Sequence, residues 1–163
     1  RGGFQVASGV TATVAGANSE SGSGNGVLDI SGAGTVILSG TNTYTGGTIV
    51  TGSTLQISKN ASLGAGGAMT LNDATLLMQQ SDTYKSSALT MTGNSTVNIA
   101  TNTTWEVTGP VSVSGNPVLQ IGSGGVLQLD GEVSGIALPI TFDNASLLLL
   151  GQNTFTEIGR AHV

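Results

Sequence analysis

A five-residue pattern of small, Thr, apolar, any, apolar recurs along the chain as GTVIL at 34–38, STLQI at 53–57, ATLLM at 74–78 and STVNI at 95–99. Its threonines, Thr35, Thr54, Thr75 and Thr96, are spaced by 19, 21 and 21 residues. A period of that length marks a stack of small units, because a single unit this short cannot bury its own apolar face. Looser echoes follow as PVLQI at 117–121 and ASLLL at 145–149. A second short apolar run precedes the copies: VLDI at 27–30, TIV at 48–50, AMTL at 68–71 and LTM at 89–91. Each unit is expected to run strand, turn, strand, loop.

Period-two alternation puts Val36 with Leu38, Leu55 with Ile57 and Val97 with Ile99 on one side of their strands, while Thr35, Gln56 and Asn98 face the other way. Stacked coil upon coil at about 4.8 Å, the apolar side becomes a continuous core with parallel pairing along the stack. The expected fold is an all-β, right-handed parallel β-helix, a single-stranded solenoid with coils of about 20 residues and some seven coils in all. β-Branched and Gly-rich stretches disfavour helix, and no 3.6-residue periodicity persists, so almost no helix is expected. The glycine clusters Gly32–Gly34, Gly64–Gly67 and Gly122–Gly125 fall between runs, where sharp corners need positive φ. Gly-X-Gly-X-X-Gly matches near Gly22, Gly24 and Gly26 and around Gly64 open no predicted helix, so they read as corners and not as dinucleotide loops.

Composition then narrows the function classes. Charged residues make up 8% of the 163 residues and the net charge is −5, with the cations before residue 158 scattered singly at Arg1, Lys59 and Lys85. No basic stripe exists to neutralise phosphates, which argues against a nucleic-acid partner. There is no cysteine, removing disulfides, thiolate metal sites and cysteine nucleophiles together. No apolar run approaches the roughly 18 residues of a membrane helix, so membrane insertion by this segment is not expected. The chain starts at Arg1 without a Met and reads as a piece of something longer.

Residues 32–56 read GAGTVILSGTNTYTGGTIVTGSTLQ. This stretch resembles the autotransporter-associated β-strand repeat, whose usual form is G-x-G-T-L-T-L-S-G-x-N-T-Y-T-G-G-T-x-V-x-x-G-T-L-Q. Gly34, Thr35, Leu38 to Gly40, Asn42 to Thr48, Val50 and Thr54 to Gln56 fit, and Ser53 departs from the usual Gly. A second copy starts at 145, where ASLLLLGQNTFT has Phe155 for Tyr44. It breaks off before Gly-Gly-Thr, and IGRAHV at 158–163 is similar to translated sequencing-adapter read-through. Residues 1–157 are thus read as a β-helix passenger fragment and 158–163, with the sole histidine His162, as an adapter-derived tail that is not native.

Within the repeat, Asn42 is expected to bond its own turn, Tyr44 to lay its ring over the end of the core, and Gly46-Gly47 to reverse the chain. That reading is preferred to a ligand-binding row formed by Tyr44 and Phe155. Trp105, in TWEV at 104–107, is expected in the core and not against a sugar. The carboxylates Glu20, Asp29, Asp73, Asp82, Glu106, Asp130, Glu132 and Asp143 do not recur in one register. Only Asp130 and Glu132 are close enough for a catalytic or calcium-binding pair, and Gly131 between them points to a turn. Serine nucleophiles have no identifiable base, and no Asp recurs as calcium-binding nonapeptides require. Thr-x-Thr pairs at 11–13, 41–43, 43–45 and 101–103 invite an ice-binding reading. The residues two past the Thr rank are Ile37, Gln56, Leu77 and Asn98, so the rank reads instead as ordinary β-ladder threonines. No catalytic, cofactor-binding or metal-binding residue is nominated.

The resemblance implies an exported protein of Gram-negative-type bacteria, held at the cell surface, with a signal peptide upstream and an outer-membrane β-barrel downstream. It also implies a non-enzymatic stalk or adhesive segment whose repeat aids folding and export. The implied partners are that barrel and host-cell, matrix or bacterial-surface ligands. A polysaccharide-active enzyme and an ice- or calcium-binding solenoid are the alternatives.

Overall fold

The computed structural model describes residues 2–19, 25–59, 63–135, 140–142, 144–152 and 154. Coil 1 contains β1 (Gly2–Val6) and β2 (Thr11–Val14), coil 2 contains β3 (Leu28–Gly32) and β4 (Thr35–Leu38), and coil 3 contains β5 (Thr48–Thr51) and β6 (Thr54–Ile57). Coil 4 holds β7 (Met69–Asn72), β8 (Thr75–Met78) and β9 (Thr83–Ser86), and coil 5 holds β10 (Leu89–Thr92), β11 (Thr96–Ile99) and β12 (Thr104–Val107). Coil 6 brings β13 (Val111–Val113), β14 (Val118–Ile121) and β15 (Val126–Leu129), and coil 7 brings β16 (Val133–Gly135), β17 (Ile140–Phe142) and β18 (Ser146–Leu149).

Equivalent strands of successive coils pair in parallel, and the six steps from coil 1 to coil 7 make a β-solenoid of about 6 turns with about 21 residues per turn. Face 1 runs β1-β3-β5-β7-β10-β13-β16, face 2 runs β2-β4-β6-β8-β11-β14-β17, and face 3 runs β9-β12-β15-β18. On face 2 the repeat threonines stand in register as Thr35, Thr54, Thr75 and Thr96, and Thr11 extends the rank backwards. The run VLDI and its successors supply β3, β5, β7 and β10 of face 1, as the pattern predicts.

Inside, the alternation yields columns of fully buried side chains. Val36, Leu55, Leu76, Val97 and Leu119 form one on face 2, each 0% exposed. Ile30, Val50, Leu71 and Met91 form another on face 1, also at 0%. Each such side chain contributes about 1.5–3 kcal/mol by leaving water, and each also rests on another apolar residue one coil away. The small position of the repeat faces inward as well. Ser53 is buried and its Oγ donates to the Gly32 carbonyl one coil back at 2.8 Å, while Ser95, 0% exposed, donates to the Thr92 carbonyl at 2.6 Å. Hydroxyl for hydrogen at position 53 thus costs nothing in unpaired polarity.

The corner between faces 1 and 2 uses positive φ in successive coils, at Gly52 (63°), Asp73 (47°), Gly93 (64°) and Gly115 (86°). Asp73 is therefore a corner residue. Its carboxylate accepts the Asn94 N–H of the next coil at 2.9 Å.

Two features differ from the sequence reading. Coils 4 to 7 have a third strand that strand, turn, strand, loop omits: TYKS and TWEV carry too few aliphatic residues to stand out beside runs such as TVIL. The segment 145–149, taken as an echo of the Thr column, forms β18 and pairs with β15 on face 3 instead of joining face 2. Leucine-rich strands of four residues fit either inward column, and the intervening β17 already fills face 2 in that coil. Phe155, Glu157, Asp143, Glu20 and the segment 158–163 with His162 lie outside the described residues, as do Gly22 and Gly24.

Candidate interaction surface

Tyr44, Tyr84 and Trp105 belong to the interior. In coil 2, residues 41–47 cross the side of the stack that face 3 occupies further along, and Tyr44 turns inward, 4% exposed. Its phenolic oxygen shares a hydrogen bond of 2.8 Å with Thr48 Oγ1, and the Tyr44 carbonyl accepts the Ala65 N–H at 3.0 Å. Asn42, expected to bond its own turn, reaches the preceding coil: its Oδ1 accepts the Asn18 backbone N–H at 2.8 Å and the Asn18 Nδ2 at 2.9 Å. On face 3, Tyr84 and Trp105 are direct cross-coil neighbours, both 0% exposed. Trp105 Nε1–H donates to Ser86 Oγ at 3.2 Å. Neither Tyr44 nor Trp105 presents a ring to a ligand.

Tyr84 has a buried phenolic oxygen without a hydrogen-bond partner. Burial, aided by the nearby Asp82 carboxylate and opposed only weakly by the Gln80 backbone, which makes no well-formed hydrogen bond to it, pushes its phenol up to about 12; burial, opposed by the Thr48 hydrogen bond, also raises that of Tyr44. Both folded values lie above the ordinary tyrosine value, so the fold prefers the neutral phenols. Their contribution is complete below about pH 10 and is lost as pH rises towards 12. Substitution by Phe should separate the two. Tyr84→Phe removes an unpaired polar atom and is expected to stabilise by roughly 0.5–1 kcal/mol, whereas Tyr44→Phe strands the Thr48 hydroxyl and should cost about 1 kcal/mol. Urea unfolding followed by circular dichroism at pH 7 distinguishes these signs, and equal effects of the two variants would contradict the assignment.

The outer surface is polar and nearly uncharged. On face 2 the Thr rank lies beside Thr13, Ile37, Gln56, Leu77 and Asn98, which breaks any double rank of hydroxyls. On face 3, Lys85 Nζ sits 2.8 Å from Glu106 Oε2, next to Gln128. Face 1 is different. Its two outward ranks run side by side in register: Ile49, Thr70, Thr90, Ser112 and Ser134 in one, polar from coil 4 onwards, and Thr51, Asn72 and Thr92 in the other, with Ser114 just past β13. Thr92 Oγ1 donates to Asn72 Oδ1 across coils at 2.9 Å. Asp29, in coil 2, is the one carboxylate on these ranks among the described residues. The array was hidden in the sequence because Ser and Asn stand in for Thr in the other coils, leaving Thr90-Met91-Thr92 as its one Thr-x-Thr.

Asp130 and Glu132 flank Gly131 at the corner between β15 and β16. Asp130 Oδ1 accepts from Gln128 Nε2 at 2.8 Å, and Glu132 Oε1 accepts from Thr154 Oγ1 at 3.3 Å, so each carboxylate has its own separate partner. Among the described residues no group of three or more His, Cys, Asp or Glu side chains comes together, and no helix is long and apolar enough to cross a membrane.

Residues 31–57, covering β4 to β6 and the NTYTGG segment, match the family model of the passenger-associated-transport-repeat. Over 82 residues, half of this chain, the sequence is 39% identical to the adhesin BmaC autotransporter of Brucella suis biovar 1 (strain 1330). The chain spans about 2% of that relative's length. No solved structure matches the chain. The chain thus carries an autotransporter passenger repeat, whose matched residues include β4, the Tyr44-bearing crossing, β5 and β6.

Proposed function

We propose that this chain is a non-enzymatic stalk segment in the passenger of a bacterial surface autotransporter, with face 1 as its adhesive surface. The observation that carries the reading is the passenger repeat built into an uninterrupted parallel stack, with buried aromatics and dispersed carboxylates. A stack in which each coil touches only its neighbours is stiff along its axis and can lengthen by simple repetition. The adhesin similarity supports placement at the cell surface, attached through the protein's own outer-membrane barrel. Face 1 offers hydroxyl and amide groups at strand and coil spacings with little charge, a surface suited to hydrogen bonding with host-cell, matrix or bacterial-surface ligands. Low charge and the absence of cysteine also suit passage of an unfolded chain through a narrow pore, with coil-by-coil folding outside drawing the remainder along.

The test is binding of the purified chain to matrix-coated surfaces and to cultured cells. Thr70→Glu, Thr90→Glu and Ser112→Glu together are expected to reduce retention at least tenfold with an unchanged circular dichroism spectrum. Retention that is undiminished removes face 1 from the reading, and wild-type protein that binds neither surface removes the adhesive role.

A further inference from the structure

Three Asn-x-Ser/Thr tripeptides lie within the described residues: Asn94-Ser95-Thr96, Asn102-Thr103-Thr104 and Asn144-Ala145-Ser146. This is the acceptor pattern for attachment of a sugar to an Asn amide. Sequence alone makes little of it in a chain so rich in Asn, Ser and Thr, but the solenoid places all three alike. Each Asn is exposed at a corner. The middle residue turns inward, with Ser95 and Thr103 0% exposed and Ala145 packed against the core. The hydroxyl residue then opens a strand on its outer side, Thr96 in β11, Thr104 in β12 and Ser146 in β18.

Asn102 and Asn144 occupy the same corner two coils apart, at φ 54° and 47°, about 10 Å from each other at the usual strand spacing. Between them stands Gly124, whose N–H donates to the Asn144 carbonyl at 2.9 Å and whose missing side chain leaves room for the Asn102 carboxamide, with which a Cβ there would collide. Asn94 sits on the opposite side of face 2, anchored by its backbone N–H to Asp73. In none of the three does the core hold the amide, so a bulky polar group there lies outside the stack.

We propose that Asn94, Asn102 and Asn144 are acceptor sites for N-linked sugar, modified by a transferase that uses a nucleotide-activated hexose. In the reaction a bond forms between Asn Nδ2 and the anomeric carbon. The bond from that carbon to the nucleoside diphosphate breaks, the diphosphate leaves with the electron pair, and the amide nitrogen releases one proton. The sugars would line two edges of face 2 and leave the outward ranks of face 1 clear.

The experiment is incubation of the purified, folded chain with a soluble bacterial asparagine glycosyltransferase and UDP-glucose, read by peptide mass spectrometry, with a short acceptor peptide as a control for enzyme activity. One hexose is expected on each of the three asparagines, at least tenfold above Asn98 and Asn116, which lack the hydroxyl two residues on. Thr96→Ala, Thr104→Ala and Ser146→Ala should each abolish only their own site. Because these side chains point outward, circular dichroism should show the fold retained. Absence of sugar from the three sites in the folded chain overturns the proposal, whether or not the urea-unfolded chain accepts it.

Discussion

Trp105→Ala is expected to destabilise the solenoid by about 3–5 kcal/mol, the range for removing a large buried aromatic side chain. Trp105 is the largest of the fully buried residues and is 0% exposed. Its neighbours in the same column are Tyr84 in coil 4 and Leu127 in coil 6, so alanine opens a cavity between two coils that are held apart by their own backbone pairing. Strand spacing near 4.8 Å is fixed by hydrogen bonds, and the stack cannot collapse along its axis to fill the gap. The indole N–H also leaves Ser86 Oγ, 2% exposed, without that donor. Trp105→Phe keeps most of the volume and should cost about 1–2 kcal/mol. Thermal and urea unfolding followed by far-ultraviolet circular dichroism measure both. A Trp105→Ala variant as stable as the parent would mean that the face 3 column is not part of the cooperative core.

That column also shows where the sequence was legible and where it was not. The face 2 strands announced themselves because an outward Thr and two inward aliphatic residues recur at nearly constant spacing, and each of those choices reports a different local requirement. Face 3 gave no such signal. In β9 the inward residues are Tyr84 and Ser86 and the outward ones Thr83 and Lys85, so the strand has one large apolar residue and borrows its hydrophobicity from Trp105 and Val107 next door. Cross-coil partnership of that kind lies about 21 residues away in sequence and appears only once the register is known. The same holds for the hydrogen bonds that Asn42 accepts from Asn18 and for the hydroxyl ranks of face 1. The segment 145–149 misled for the opposite reason: its composition fits the repeat, but the coil had already filled face 2 with β17.

Gly47→Ala is expected to be nearly as damaging, at about 3 kcal/mol or more, although it adds a single methyl group. Gly47 is the second glycine of the NTYTGG segment and has φ +97°, beyond the left-handed region that Asn and Asp tolerate. A Cβ there would collide with the Ala68 carbonyl oxygen and lie 2.9 Å from its nitrogen and 3.1 Å from its carbonyl carbon. All three atoms are backbone of the next coil, which no rotamer change can move. The collision falls on the ladder itself, because the same Ala68 carbonyl accepts the Thr48 N–H at 2.8 Å and the Gly47 carbonyl accepts the Leu28 N–H at 3.0 Å. Displacing residue 47 therefore loosens coil 3 from both neighbours. Gly52 provides the control. It has φ +63° and only one close atom, the Gly32 carbonyl oxygen at 3.2 Å, and Asp73 holds the equivalent corner one coil on. Gly52→Asn should cost less than about 1 kcal/mol, since Asn accepts the left-handed conformation. Urea titrations of the two variants side by side test whether coil-to-coil contact, over and above backbone freedom, fixes glycine at position 47. Equal midpoints for Gly47→Ala and Gly52→Asn would show that it does not.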